Sequence, residues 1–186
     1  MATLSSVKFV FGIFSPFAHY NTESAKIKEK NENLRKKLKY SQKCFIMKEE
    51  NDEGRKNRMI RLIHTSDLHL DSEFSCNDPK LTSLRKKEQR ALFANLMMYV
   101  RDQKADVLLI SGDLFDKKQP EKEAAEVVLR EFRNTPETEI FIAAGRSDCC
   151  RPGSFLYETE FPPNVHVFRE EALSSFSVDR LHLTVY

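Results

Sequence analysis

The sequence predicts an α/β fold, a parallel sheet flanked by helices, and three observations carry that prediction. Three short apolar runs, opening at Ile60 and spanning Val107–Ile110 and Ile140–Ala144, are too short for helices and read as strands buried on both faces. Two longer segments between them place apolar residues at helical spacing. Strand, helix, strand, helix, strand in that order gives a parallel sheet with right-handed crossovers.

The elements follow in order. The chain has 186 residues, 40% hydrophobic and 31% charged, enough for one ordinary core and too polar for a membrane protein. Residues 1–58 carry 13 Lys and Arg against 7 Asp and Glu, whereas residues 59–186 carry 17 against 21. The first part reads as a basic leader, disordered or assigned upstream of the true start, and its apolar Val7–Ala18 is too short to span a bilayer. The folded part begins at Met59, and its net negative charge gives no footprint of a phosphate-neutralising surface.

Ile60, Leu62 and Ile63 form the first strand, bounded by Thr65-Ser66-Asp67. Asp78-Pro79 reads as an N-cap and first helical residue, after which Leu81, Leu84, Leu92, Leu96 and Val100 mark the inner face of a long helix. Val107–Ile110 is the second strand, and Pro120 starts a helix with Ala124, Val127, Val128 and Phe132 on one face. Ile140–Ala144 is the third strand. Val165–Phe168, Phe176–Val178 and Leu181–Val185 are short strands, with a hairpin turn at Val178-Asp179-Arg180-Leu181. The chain stops at Tyr186 on an apolar strand, which reads as a domain truncated before its second half. Cys44, Cys76, Cys149 and Cys150 have no CxxC spacing and read as reduced thiols of a cytoplasmic protein.

In an open α/β sheet the ligand site lies beyond the carboxyl ends of the strands. Three loops qualify: Asp67-Leu68-His69, Gly112-Asp113-Leu114-Phe115-Asp116 and Gly145-Arg146-Ser147-Asp148. An Asp and a His two apart in an extended segment point to the same side, so Asp67 and His69 can chelate one divalent ion with Asp113 approaching from the neighbouring strand. Gly112 lets the second loop turn tightly. Taken singly, each residue is an ordinary cap, Asx-turn or surface histidine. Their order after consecutive strands is what points to a metal site.

Ile60–Asp71 (IRLIHTSDLHLD) and Leu108–Asp116 (LLISGDLFD) resemble the first two motifs of the calcineurin-like metallophosphoesterases, nearest the SbcD-type DNA repair exonucleases. The resemblance covers about Met59 to Tyr186. It implies a metallophosphoesterase-type sheet, and a hydrolase that cleaves phosphodiesters, DNA among them, by in-line attack of metal-bound hydroxide. It implies Mn²⁺ or Mg²⁺, with Asp67 and His69 on the first ion, Asp113 bridging to a second, and Asp116 as a supporting carboxylate. It also implies an SbcC-type ATPase partner and a homodimer.

The third loop departs from the family pattern Gly-Asn-His-Asp, whose Asn binds the second ion and whose His assists the chemistry. Here Arg146 and Ser147 stand at those positions, with Asp148 as a supporting residue. A guanidinium offers no lone pair to a metal but can neutralise a phosphate, and a hydroxyl cannot serve as a neutral-pH acid. No Gly-His-x-His segment precedes Tyr186, and His166 and His182 read as ordinary strand residues. The expectation is therefore at most one ion and an impaired exonuclease-like phosphoesterase. The alternative is a non-catalytic remnant or binding module of the same fold. A nucleotide-binding α/β module lacks support, because no Gly-rich loop follows the first strand.

Overall fold

The structure is a computed structural model that describes the backbone of Lys43–Met47 and residues 60–74, 78–170 and 172–186. The elements are Lys43–Met47 (β1), Ile60–Thr65 (β2), Pro79–Asp102 (α1), Val107–Ser111 (β3), Lys122–Arg133 (α2), Glu139–Ala143 (β4), Phe155–Glu158 (α3), Val165–Phe168 (β5), Phe176–Val178 (β6), a 3₁₀ turn at Asp179–Leu181, and Leu183–Val185 (β7). The large sheet has the order β1-β2-β3-β4-β5. From β2 to β5 every pairing is parallel, while β1 lies antiparallel on β2 with Phe45 opposite Leu62. β1 falls inside the stretch read as a leader; Val7–Ala18 lies outside the described residues, as does Cys76.

Strand order follows chain order, so right-handed crossovers place every connecting helix on the same face. The side chains of β3 show the result. Leu108 and Ile110 join Ile63, Ile140 and Ile142 under Phe93, Leu96 and Val100 of α1 and Val128 and Phe132 of α2. Val107 and Leu109 point the other way, with Leu62 and Phe141, against Val178, Leu181, Leu183 and Val185 of the β6–β7 hairpin. The helices thus flank one face, and a two-stranded antiparallel sheet covers the other.

Three details differ from the sequence expectation. Leu84 and Leu92 are 52% and 36% exposed, because the inner stripe of α1 runs through Phe93, Leu96, Met97 and Val100 instead. The second helix begins at Lys122 rather than Pro120, since Glu121 holds extended backbone and turns its N–H to Asp71 Oδ2 at 2.7 Å. The hairpin turn is two residues longer than read: Val178 pairs with Leu183, and His182 is left-handed (φ 49) in the turn instead of lying in a strand. The remaining histidine of that pair, His166, does lie in β5, bonded to Glu139 at 2.8 Å and stacked on Phe141.

The helix start is as the sequence reads it. Asp78 Oδ1 accepts the Lys80 N–H at 2.9 Å, with Pro79 as the first helical residue. An Asp78→Ala variant is expected to lose about 1 kcal/mol in urea unfolding, the usual worth of an N-cap. Among the described residues no helix is long and apolar enough to cross a membrane.

Candidate metal centre

β2 and β3 pair with Thr65 opposite Ile110, and the pairing continues past the strand ends. The N–H groups of Asp67, His69 and Leu70 donate to the carbonyls of Gly112 (3.1 Å), Asp113 (2.9 Å) and Leu114 (3.0 Å). Leu70 then faces Phe115 in a parallel bridge. Leu70, Leu114 and Phe115 are buried in the helix-side core or its margin and pin both loops. The two motifs therefore meet because the sheet register carries on through them.

This brings one ligand atom from each of Asp67, His69 and Asp113 within 4.8 Å of the others, with His69 Nε2 at 4.0 Å from Asp67 Oδ1. The local reason differs from the extended segment expected. Asp67 (φ 54), His69 (φ 44), Asp71 (φ 64) and Asp113 (φ 51) all hold left-handed backbone. Asp and His tolerate that region better than most residues, at roughly 1 kcal/mol each, and such strain persists only where surrounding bonds enforce it. Asp116 Oδ1 lies 2.8 Å from His69 Nδ1, which fixes the ring with Nε2 toward Asp67 Oδ1.

The third loop packs directly on Asp113. Gly112 (φ 86) donates its N–H to Ala143 O at 2.9 Å, and its α-carbon side faces Gly145. Gly145 approaches so closely that an added Cβ would stand 2.3 Å from Asp113 N and 2.4 Å from Asp113 Oδ1. Ser147 acts here through its backbone, its N–H donating to Asp113 Oδ1 at 2.8 Å. Arg146, between them, is exposed. Asp148 is buried, accepting the N–H groups of Leu114 (2.8 Å) and Phe115 (3.2 Å) on Oδ2 and of Gly145 (2.7 Å) on Oδ1. Burial pushes its carboxyl above the usual range, against the lowering effect of those three bonds. Its oxygens tie the second loop to the third. Cys149 and Cys150, which follow, are free thiols.

Four further residues brace the first loop and do not stand out in the sequence reading. Gln89 Nε2 donates to His69 O at 2.9 Å, and Arg90 Nη2 reaches Asp71 Oδ1 at 3.1 Å and Glu121 Oε2 at 2.9 Å. Lys86 also bonds Glu121, and this contact is the main cause that holds the Glu121 carboxyl below its usual range. A signal for two of them is present: Gln89 and Arg90 sit four and three residues before Phe93, on the inner stripe of α1 where apolar residues are the rule.

Two carboxylates and an imidazole are hard and borderline donors of the kind Mn²⁺ and Mg²⁺ accept. Ligands on opposite sides of such an ion stand about 4.2 Å apart, so the observed span closes on one ion with shifts below an ångström. Among the described residues no second group of His, Cys, Asp and Glu comes together in this way.

Comparison with known proteins points to one family. The calcineurin-like phosphoesterase profile matches residues 60–183. The DNA double-strand break repair protein Mre11 of Methanopyrus kandleri is 32% identical over 96 residues, 50% of this chain and 20% of that protein. YhaO of Bacillus subtilis, described as an uncharacterized metallophosphoesterase, is 26% identical over 136 residues, covering 68% of this chain and 33% of its own length. The SbcD component of the SbcCD nuclease of Rhodobacter capsulatus is 28% identical over 93 residues, 48% of this chain and 22% of that protein. The matched stretch thus spans a third or less of each of these relatives. With the profile covering the loops that carry Asp67, His69 and Asp113 and the whole described sheet from β2 onward, the chain belongs to the calcineurin-like phosphoesterase family.

Proposed function

We propose that the chain is a phosphodiester-directed member of this family, exonuclease-like in substrate class, which holds one divalent ion on Asp67, His69 and Asp113 and turns over poorly. The convergence of those three side chains within 4.8 Å on left-handed backbone carries the reading. Mn²⁺ or Mg²⁺ bound there would act as a Lewis acid toward a phosphoryl oxygen. Asp116 orients His69, and exposed Arg146 supplies a fixed cation for a phosphate oxygen in the place where the family pattern has a metal ligand. The Mre11 and SbcCD relatives support DNA as the substrate and an SbcC-type partner, with a homodimer following from the same resemblance.

A binding module without turnover is the second reading, and one observation favours it. Arg146 and Ser147 stand where the family pattern has its Asn ligand and its His, and neither a guanidinium nor a hydroxyl supplies what those side chains would. The test measures Mn²⁺ binding and hydrolysis of bis(p-nitrophenyl) phosphate by the full chain and by an Arg146→Asn, Ser147→His double variant. The expected outcome is Mn²⁺ binding by both, with hydrolysis at least tenfold faster in the double variant. Ordinary family turnover by the unaltered chain would sink the impairment. Binding with no turnover in either chain would favour the module, and absence of Mn²⁺ binding would remove the metal site itself.

A further inference from the structure

We infer that Gln89 of α1 is a positioning residue for the metal centre, acting on His69 through its backbone carbonyl; this rests on the single-ion reading above. The His69 carbonyl is held from three directions, by Gln89 Nε2 at 2.9 Å, Ser72 Oγ at 2.7 Å and Ser72 N at 3.2 Å. His69 is left-handed, and so are its neighbours at Asp67 and Asp71, so the loop needs external bonds to stay in this shape. Two of the three donors come from Ser72, inside the same turn. Among the described residues, Gln89 alone ties the carbonyl to the rigid body of the fold, since α1 is seated on the sheet through Phe93, Leu96, Met97 and Val100.

The chemistry of Gln89 supports a role beyond packing. Among the described residues its buried Oε1 has no hydrogen-bond partner, nor has Arg90 Nε beside it. An apolar side chain of the same length would avoid that unsatisfied oxygen, so the amide is there for its N–H. One residue on, Arg90 grips buried Asp71 at 3.1 Å, and Asp71 in turn accepts the Glu121 N–H at 2.7 Å. The ligand loop is thereby clasped at His69 by one residue of α1 and at Asp71 by the next. The His69 ring is then aimed by two bonds on opposite parts of the residue, Asp116 on Nδ1 and Gln89 on the carbonyl.

The experiment titrates the full chain with MnCl₂, reading free Mn²⁺ by electron paramagnetic resonance, for the parent, Gln89→Met, Gln89→Glu and Asp67→Ala. Met keeps the length of Gln and removes both polar atoms. The metal-free melting midpoint of Gln89→Met is therefore expected to stay within about 3 °C of the parent, while its Mn²⁺ affinity falls about tenfold. A merely structural glutamine would show the reverse pattern. Gln89→Glu adds a negative charge near the ion but loses the donor, and is expected to bind Mn²⁺ no more tightly than Gln89→Met. Parental affinity in Gln89→Met, or tighter binding in Gln89→Glu, would overturn the inference while Asp67→Ala still loses the ion. Parental affinity in Asp67→Ala would instead overturn the metal reading, and this inference with it.

Discussion

A Gly145→Ala variant is expected to lose about 3 kcal/mol of stability and to bind Mn²⁺ at least a hundredfold more weakly. The new methyl would lie 2.3 Å from Asp113 N and 2.6 Å from Asp113 Cγ, well inside van der Waals contact. Neither neighbour can yield easily. The Asp113 carbonyl is bonded to the His69 N–H at 2.9 Å, and its Oδ1 to Ser147 N–H at 2.8 Å. Overpacking against backbone costs more than overpacking against a flexible side chain, so the relief must come from moving Asp113 or peeling away the third loop. The first displaces Asp113 itself, and the second releases its Oδ1 from Ser147. Urea unfolding together with Mn²⁺ titration reads both effects, and a variant with parental values in both would show that the two loops have slack.

Asp148→Ala is expected to destabilise the metal-free chain by about 4 kcal/mol at acid pH, because three buried amide donors, those of Leu114, Phe115 and Gly145, lose their acceptor together. The pH dependence has an unusual sign for an aspartate. Burial raises the folded carboxyl above its unfolded value, so between those two values the native state binds more protons than the unfolded state. The stability contributed by Asp148 is therefore fully present below the unfolded value and declines as pH rises through the folded one. The gap between the parent and Asp148→Ala is expected to narrow across that window, which a series of urea melts from pH 3.5 to 7 would follow. A gap that widens with pH would mean that the three hydrogen bonds outweigh burial.

Much of this arrangement is written locally. The runs at β2, β3 and β4 are apolar on both faces, and such short runs have few other ways to be buried, so the parallel sheet is legible in the sequence. The three loops after those strands are legible for the same reason. What the sequence conceals are choices settled by tertiary contact. Leu84 and Leu92 fit a helical stripe as well as Phe93 and Met97 do, and only the position of the sheet decides which face of α1 turns inward. Glu121 leaves the helix because Asp71, fifty residues earlier in the chain, takes its N–H. A pleated strand would also pair Asp67 with His69, whereas the actual pairing comes from left-handed turns, which Asp and His permit but do not announce. Ser147 reads in sequence as a lost side chain, yet its contact with Asp113 uses a backbone atom that any residue there would supply.

β3 is paired on both edges and covered on both faces, and Asp113 stands two residues past its end. A segment in that position opens to solvent only when the whole domain does. Asp113 is thus tethered to the most enclosed strand of the sheet, and the entropy of ordering its backbone is lost when the chain folds. On the proposed metal reading, capture of a cation then requires side-chain adjustment alone, a condition that favours fast and reversible loading.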